Sequence, residues 1–353
     1  MTHFSKALSF PAVFVLAAVS VMSCITVDKS LGSGNIPDDQ KLKMETASFN
    51  IPVDLKMADS LQGASTSYLM VGAINTAEMG LAQFSTAANI VPYYTGTRYG
   101  QDPVIISTYI VFVKSASVTM EDNQDGITQD IFVYRLKQPL DTINVYNNSI
   151  NSSSYYPTPL NNKAITYYGG DTLKIYLNNS LGKELLTATD TELDSLNLFS
   201  KRFGGLYVKS STPPAGIIGG RLNQFSYGDT YLYLKYNFQP TWKSGMARKD
   251  TTVVMSFGYK FCLNLSSYST ANKETTVAQT VLPVEGIGGI KPYIKMDALK
   301  DQIDAWIKAK GYDRTKILLS RATITFPFSA PENIDKLTHY PAYLFPCYRK
   351  KET

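Results

Sequence analysis

The residues that could carry chemistry are few. Only two histidines occur, His3 and His339. A Ser-His-Asp triad needs a histidine base, and His3 belongs to an apolar leader. His339 would therefore have to serve, yet no Gly-x-Ser-x-Gly elbow accompanies it. Beside Tyr340-Pro341 it reads as a surface or turn histidine. Zinc sites built on several His or Cys ligands are excluded by count. Glu121, Asn123 and Asp125, followed by Gly126, resemble the start of a calcium loop. The twelfth position of such a loop wants an acid, and here it is Phe132. The simpler reading is an Asp-Gly hairpin turn between two strands. Paired carboxylates could hydrolyse glycosides across a cleft, but Asp190, Glu192 and Asp194 lie along an expected helix and read as its solvated face. Gly286-Ile287-Gly288-Gly289 lacks the last glycine and the βαβ setting of a dinucleotide fingerprint. No cofactor is expected.

Tyrosine offers more. Three doublets sit in turn-rich stretches: Tyr93-Tyr94, Tyr155-Tyr156 and Tyr167-Tyr168. Trp242 lies in a Gln-Pro-Thr-Trp-Lys-Ser-Gly loop. Exposed flat rings with a polar handle suit the faces of sugars, which makes these seven residues the candidate ligand platform. The alternative is that they lie on neighbouring strands and pack together.

Of the three cysteines, Cys24 closes the leader. Lys6 is the only Lys or Arg before it, and Ala7 to Met22 is apolar apart from Ser9, Pro11 and Ser20. That run is too short and interrupted for a membrane span, which needs about 20 apolar residues. It reads as the core of a secretory signal. Val21, Ser23 and Cys24 resemble the bacterial lipoprotein box. The resemblance implies diacylglycerol on the Cys24 sulfur, cleavage before it, and a third acyl chain on the new amine. More than one chain makes anchoring stable. The alternative is an ordinary signal peptide with a chance cysteine. Residues 1–23 are thus expected to be a signal and 24–40 a lipidated cysteine with a Ser/Gly/Asn tether. Outer-membrane sorting is expected, the periplasmic or outward face being open. Cys262 and Cys347 would meet an oxidising compartment. They either form a bridge, contributing on the order of 4 kcal/mol by the chain-entropy model, or remain separate buried thiols.

The composition supports a folded, strand-rich chain. Apolar residues make up 44%, with 24 Tyr and 16 Phe, which suits half-buried pleated surfaces. The formal charge of +5 is scattered, with no basic run before Arg349-Lys350-Lys351. Nucleic-acid binding needs a basic stripe and is not expected.

Period-two stretches recur at Phe49 to Leu55, Tyr68 to Gly72, Val104 to Met120, Ile131 to Tyr134, Leu173 to Leu177, Gly205 to Val208, Tyr231 to Tyr236, Val253 to Leu265 and Ala322 to Phe326. Such short strands broken by Gly, Pro and Asn turns predict a mainly β chain of jelly-roll or β-sandwich-like modules. Alternation places Phe257, Tyr259, Phe261 and Leu263 on one face and Cys262 on the other. Two short helices are expected. Asp190 to Phe203 has Thr191 as its cap; residues 298–310 are capped by Asp297, end at Gly311, and carry Leu299, Ile303, Trp306 and Ile307 on a core face. A boundary near Gln239 divides a first module, 41–239, from a shorter second, 240–353.

Several of these pieces occur in a characteristic order: Tyr68-Leu69-Met70-Val71-Gly72, Phe203-Gly204-Gly205-Leu206-Tyr207-Val208, Tyr231 to Tyr236, Val284 to Ile290, and Tyr340-Pro341-Ala342-Tyr343-Leu344-Phe345. Together, from about Lys41 to Arg349, they resemble a Bacteroidota lipoprotein family, domain of unknown function 4270. The resemblance implies a lipid anchor and no known catalytic residue. More distantly, the first half resembles jelly-roll modules that accompany bacterial polysaccharide enzymes. Family members continue past the segment matching Tyr340 to Arg349, so the resemblance implies either a second module completed differently or a shortened variant with an exposed strand edge. Asp59-Ser60-Leu61, Asp141-Thr142-Ile143, Asp171-Thr172-Leu173 and Asp194-Ser195-Leu196 resemble Bacteroidota O-glycosylation acceptors.

The functional expectation is a lipid-anchored, non-catalytic binding or scaffolding protein whose partner is envelope glycan or an outer-membrane protein. The alternatives are a polysaccharide-active enzyme and a purely structural envelope protein.

Overall fold

Strands dominate because apolar and polar residues alternate through most of the chain. The computed structural model describes residues 37, 43–57, 68–76, 80–119, 129–141, 150–240, 246–269, 282, 284–286, 288–327 and 344–346. Residues 1–50 and 51–353 form separate units, and everything that follows concerns the second.

In chain order the strands are β1 (Val53–Met57), β2 (Tyr68–Thr76), β3 (Gly80–Pro92), β4 (Gln101–Thr119), β5 (Gln129–Arg135), β6 (Ile165–Tyr167) and β7 (Thr172–Leu177). Three short helices follow: α1 (Asn179–Leu185), α2 (Asp190–Leu193) and α3 (Leu196–Phe203). Then come β8 (Gly205–Ser210), β9 (Gly219–Ser226), β10 (Tyr231–Gln239), β11 (Lys249–Tyr268), β12 (Ile290–Ile294) and α4 (Met296–Ala309).

The protein is mainly β and sandwich-like, built on one large antiparallel sheet in the order β11-β10-β4-β9-β2-β3-β8-β5-β6. β7 pairs with β4, and β11 also pairs with β3. The pairings β3–β11–β10–β4–β9–β2–β3 therefore form a closed circuit. Long strands make this closure. β4 pairs with β10 through residues Gln101 to Val111, then with β9 from Lys114 onward. Register shifts break the ladders at Lys114/Ala116 and at Phe257/Cys262. Such bulges bend a strand and let it serve both layers of a sandwich.

The core fills the space between the layers. Phe112, Phe225 and Phe257 are fully buried, with ring centroids 5.2 and 5.9 Å from Phe112 to the other two. Leu181, Leu185, Leu193, Phe199 and Phe203 add the apolar faces of α1, α2 and α3 to the same core. A smaller cluster (Ala87, Leu136, Leu140, Tyr207, Leu263 and Leu265) packs separately.

Several expectations are corrected. The boundary at 240 is absent, because β11 hydrogen-bonds to β10 and β3 and so belongs to the large sheet. What stands apart is the two-stranded pair of β1 with β12. The Gly286–Gly289 stretch precedes β12 and is tied to β11: the Tyr268 hydroxyl donates to the Gly286 carbonyl (3.0 Å) and accepts from the Gly288 N–H (3.2 Å). The expected hairpin at 121–126 would make β4 and β5 neighbours, but β9, β2, β3 and β8 lie between them in the sheet. Glu121, Asn123 and Asp125 themselves lie outside the described residues.

On β11, Phe257 and Cys262 share the main core, while Leu263 joins the smaller cluster. Five steps along β11 match two along β3 across the bulge, which reverses the alternation. The helix expected over 190–203 is two helices. Thr189, not Thr191, caps the first in a capping box with Glu192, and Ser195 caps the second. α4 starts at Met296 without a side-chain cap and buries none of its residues. Trp306, expected in the core, is half-buried with its ring 5.8 Å from that of Tyr312. The expected strand at 322–326 does not form; residues 317–327 are exposed, Leu318 to 88%. Strand propensity reports packing on a pleated surface, and this segment has none beneath it.

Candidate functional site

The outer surface of β7, β4 and β10 carries a continuous tyrosine row. On β7, Leu173, Ile175 and Leu177 face inward, which leaves Thr172, Lys174 and Tyr176 outside. On β4, Thr108, Ile110 and Phe112 are buried, so Tyr109 and Val111 point out. On β10, Leu232 and Leu234 are buried and Tyr231, Tyr233 and Lys235 point out. The register then aligns them. Tyr176 lies opposite Tyr109, and Tyr109 opposite Tyr233.

The rings touch along the row. Tyr109 stacks on Tyr233 at 5.0 Å with an interplanar angle of 12°, and Tyr176 lies 5.6 Å from Tyr109. Tyr231 is 6.5 Å from Tyr233. Tyr93, just beyond β3, meets Tyr231 edge-on at 5.3 Å and Tyr94 at 4.5 Å. The Tyr93 N–H donates to the Val254 carbonyl (3.1 Å), fixing that end to β11. Stacked inner rings cover one another's faces, while the two ends stay open: Tyr176 is 56% exposed and Tyr94 72%.

Lysines flank the row. Lys174 Nζ lies 4.0 Å from the Tyr109 ring centroid and 4.8 Å from that of Tyr176, a cation–π geometry. A hydrogen bond with Tyr176 raises the Lys174 ammonium above its ordinary pKa. On the other side, Lys235 sits between Ser107 and Thr252. Acids lie at the margins: Asp171, immediately before β7, is 3.8 Å from Lys114 Nζ. Asp250 faces Asn237 at the far end of β10, and Asp229, in the turn before β10, accepts a 2.6 Å hydrogen bond from Ser226 Oγ.

The candidate tyrosines divide. Tyr93 and Tyr94 belong to the row. Tyr167 is a core residue, 7% exposed, with its hydroxyl bonded to the Gly170 carbonyl and its ring 5.7 Å from Phe225. Its neighbour Tyr168 is exposed, and the Tyr168 carbonyl accepts from Arg221. Tyr155 is half-buried against Tyr207 (4.8 Å) and Tyr134 (5.2 Å), packing on the smaller cluster. Tyr156 is exposed, with Lys137 Nζ 5.8 Å from its ring. Packing thus claims Tyr155 and Tyr167, because alternate strand positions send one member of each doublet inward. Trp242, Cys24, His339 and Cys347 lie outside the described residues, and Cys262 is buried in the core. Tyr109, Tyr176, Tyr231 and Tyr233 were not among the candidates. Their outward parity is legible beside buried Ile110, Ile175 and Leu232, but the register that joins them is not.

The acids of the helical segment are engaged in ion pairs. Arg98 holds Asp194 in a two-pronged pair (2.8 and 3.0 Å), with Asp190 at 3.3 Å. That hydrogen bonding keeps the Asp194 carboxyl below its ordinary range. Burial pushes Glu192 up, but hydrogen bonds from Thr189 and Arg202 outweigh it and leave the carboxyl lowered. A general acid needs a raised pKa, so Glu192 and Asp194 do not supply one. In the O-glycosylation-like triplets, Ser195 uses its hydroxyl as a helix cap, whereas Thr172 is exposed at the start of β7. Among the described residues, no group of three or more His, Cys, Asp and Glu could hold a metal ion, and no helix is long and apolar enough to cross a membrane.

Burial raises several phenols. Tyr167, Tyr236 and Tyr268 are each pushed up to about 12 by desolvation. Raised in the folded state, each contributes stability that is complete below pH ~10, the unfolded value, and lost as pH rises towards 12. Alkaline unfolding is therefore expected within that window. Tyrosinate absorbance should show an early exposed class, with a late class appearing only with loss of the fold.

Comparison of the chain with family models, curated proteins and solved structures found no match in any of the three. The resemblance drawn from motif order is thus not accompanied by a family-model match.

Proposed function

We propose that this is an exported, lipid-anchored outer-membrane protein with a non-catalytic binding role, and that glycan binds on the tyrosine face. The observation that carries this reading is the row Tyr176–Tyr109–Tyr233, extended through Tyr231 to Tyr93 and Tyr94. A saccharide presents C–H faces and hydroxyls alternately. The row offers ring faces at its open ends and phenol hydroxyls along its length. The full-length protein in detergent, incubated with a panel of polysaccharides, is expected to be retained without releasing reducing ends. Tyr109→Ala with Tyr233→Ala should weaken retention at least tenfold while circular dichroism stays native. Release of reducing ends would replace this reading with an enzyme.

The anchor is proposed from Val21-Met22-Ser23-Cys24, and membership of the lipoprotein family from the order of its motifs. Cys24→Ser is expected to abolish incorporation of labelled palmitate and to move the protein out of the membrane fraction. Unchanged labelling would remove the lipobox assignment.

A second reading, a protein partner, is favoured by one observation: Leu318, Leu319, Ile324 and Phe326 lie exposed in a segment of strand-like composition. Extended apolar segments pair readily with sheet edges. Crosslinking in intact cells that captured a partner through residues 317–327, with no polysaccharide retained, would favour it.

A further inference from the structure

We infer that the ligand of the tyrosine face is an anionic polysaccharide, one carrying carboxylate or sulfate groups. This rests on the glycan reading above and narrows it. Lys174 and Lys235 stand on opposite sides of the Tyr176–Tyr109–Tyr233 row. Lys174 lies opposite Val111, in the row that continues to Tyr231 and Ser256. Lys235 lies opposite Ser107 and Thr252. The residues directly opposite both lysines are uncharged, with Asp250 one diagonal step from Lys235. The outward positions between them are Tyr, Val, Ser and Thr, and the acids Asp171, Asp229 and Asp250 sit at the margins, Asp171 beside Lys114.

Opposite charges placed directly across strands are an ordinary way to stabilise an exposed sheet face. This face instead carries two lysines with no acid directly opposite either of them. Lys174 is held over two rings at 4.0 and 4.8 Å, which fixes its ammonium beside the surface a sugar ring would cover. Tyrosine rings and hydroxyls then serve the sugar, and the two ammonium groups serve anionic substituents on either side of it. An uncharged polysaccharide would leave both lysines without counter-charge.

The test measures affinity of the full-length protein in detergent for polygalacturonate, dextran sulfate, and uncharged galactan and dextran. Binding to one or both acidic polymers is expected to exceed that to the uncharged pair at least tenfold, and to weaken as salt screens the charges. Preference for polygalacturonate would identify carboxylate as the recognised group, and preference for dextran sulfate would identify sulfate. Lys174→Gln with Lys235→Gln should bring acidic and uncharged polymers level. Lys183→Gln with Lys201→Gln, on α1 and α3, should change nothing. Equal binding of all four polymers by the unaltered protein would overturn the inference and leave the glycan reading standing. An equal loss from the α1 and α3 pair would overturn it as diffuse attraction to a basic protein. Retention of no polymer would overturn both.

Discussion

Phe112→Ala lowers the free energy of unfolding by about 3–5 kcal/mol, the range for truncating a buried Phe in a packed core. Phe112 is fully buried and touches Phe225 and Phe257, so it joins β4 to β9 and β11 at once. Those strands belong to the closed circuit of pairings, and a cavity there loosens both layers. The loss should appear as a lower denaturant midpoint with an unchanged slope. Phe112→Leu should recover most of it, because it refills much of the volume. A loss of unfolding free energy below about 1 kcal/mol would mean that the surrounding core collapses freely onto the site.

Gly72→Ala is expected to be comparably severe, for a different reason. Gly72 sits at φ +153° in the middle of β2, and an added Cβ would overlap the Arg221 backbone carbonyl on β9. The backbone cannot withdraw without breaking the β2–β9 ladder. Strain at φ and the overlap together should cost upwards of about 3 kcal/mol. Gly96→Ala separates the two contributions. Gly96 has φ +77° with open space around its would-be Cβ, so only the conformational cost of about 1–2 kcal/mol remains. If Gly72→Ala yields no soluble protein while Gly96→Ala does, the close approach of β2 to β9 is supported. Equal, small losses from both would show that this approach is looser than described.

The two results test different levels of the structure. Phe112 tests the packing between layers, and Gly72 tests the backbone contact that carries the circuit from β2 to β9. The tyrosine face depends on both, because its three strands keep their register only while the layers beneath them hold.

Local alternation determined much of this protein from sequence alone. Leu173-Lys174-Ile175-Tyr176-Leu177 and Tyr231 to Tyr236 declare themselves as strands with one apolar face, and both are strands. The mainly β, sandwich-like class follows from many such segments. Position within the sheet is another matter. β4 and β5 look like a hairpin because they are consecutive, yet four strands separate them in the sheet order. β11 looks like the start of a second module because a Pro/Gly-rich loop precedes it, yet it pairs with β3, some 170 residues earlier. Pairing is decided by which faces can be buried together over the whole chain, and no local pattern reports that.

The candidate site shows the same division. Doublets drew attention to Tyr155 and Tyr167, but adjacent residues on extended chain point to opposite sides, so these two went into packing. Tyr109, Tyr176 and Tyr233 are single tyrosines far apart in sequence, each readable as outward-facing. Only the register of β7 on β4 and of β4 on β10 makes them one surface. Sequence determined which side chains leave the core; the tertiary structure decided which of them meet, because hydrogen-bonded register is a property of strand pairs and not of any strand alone.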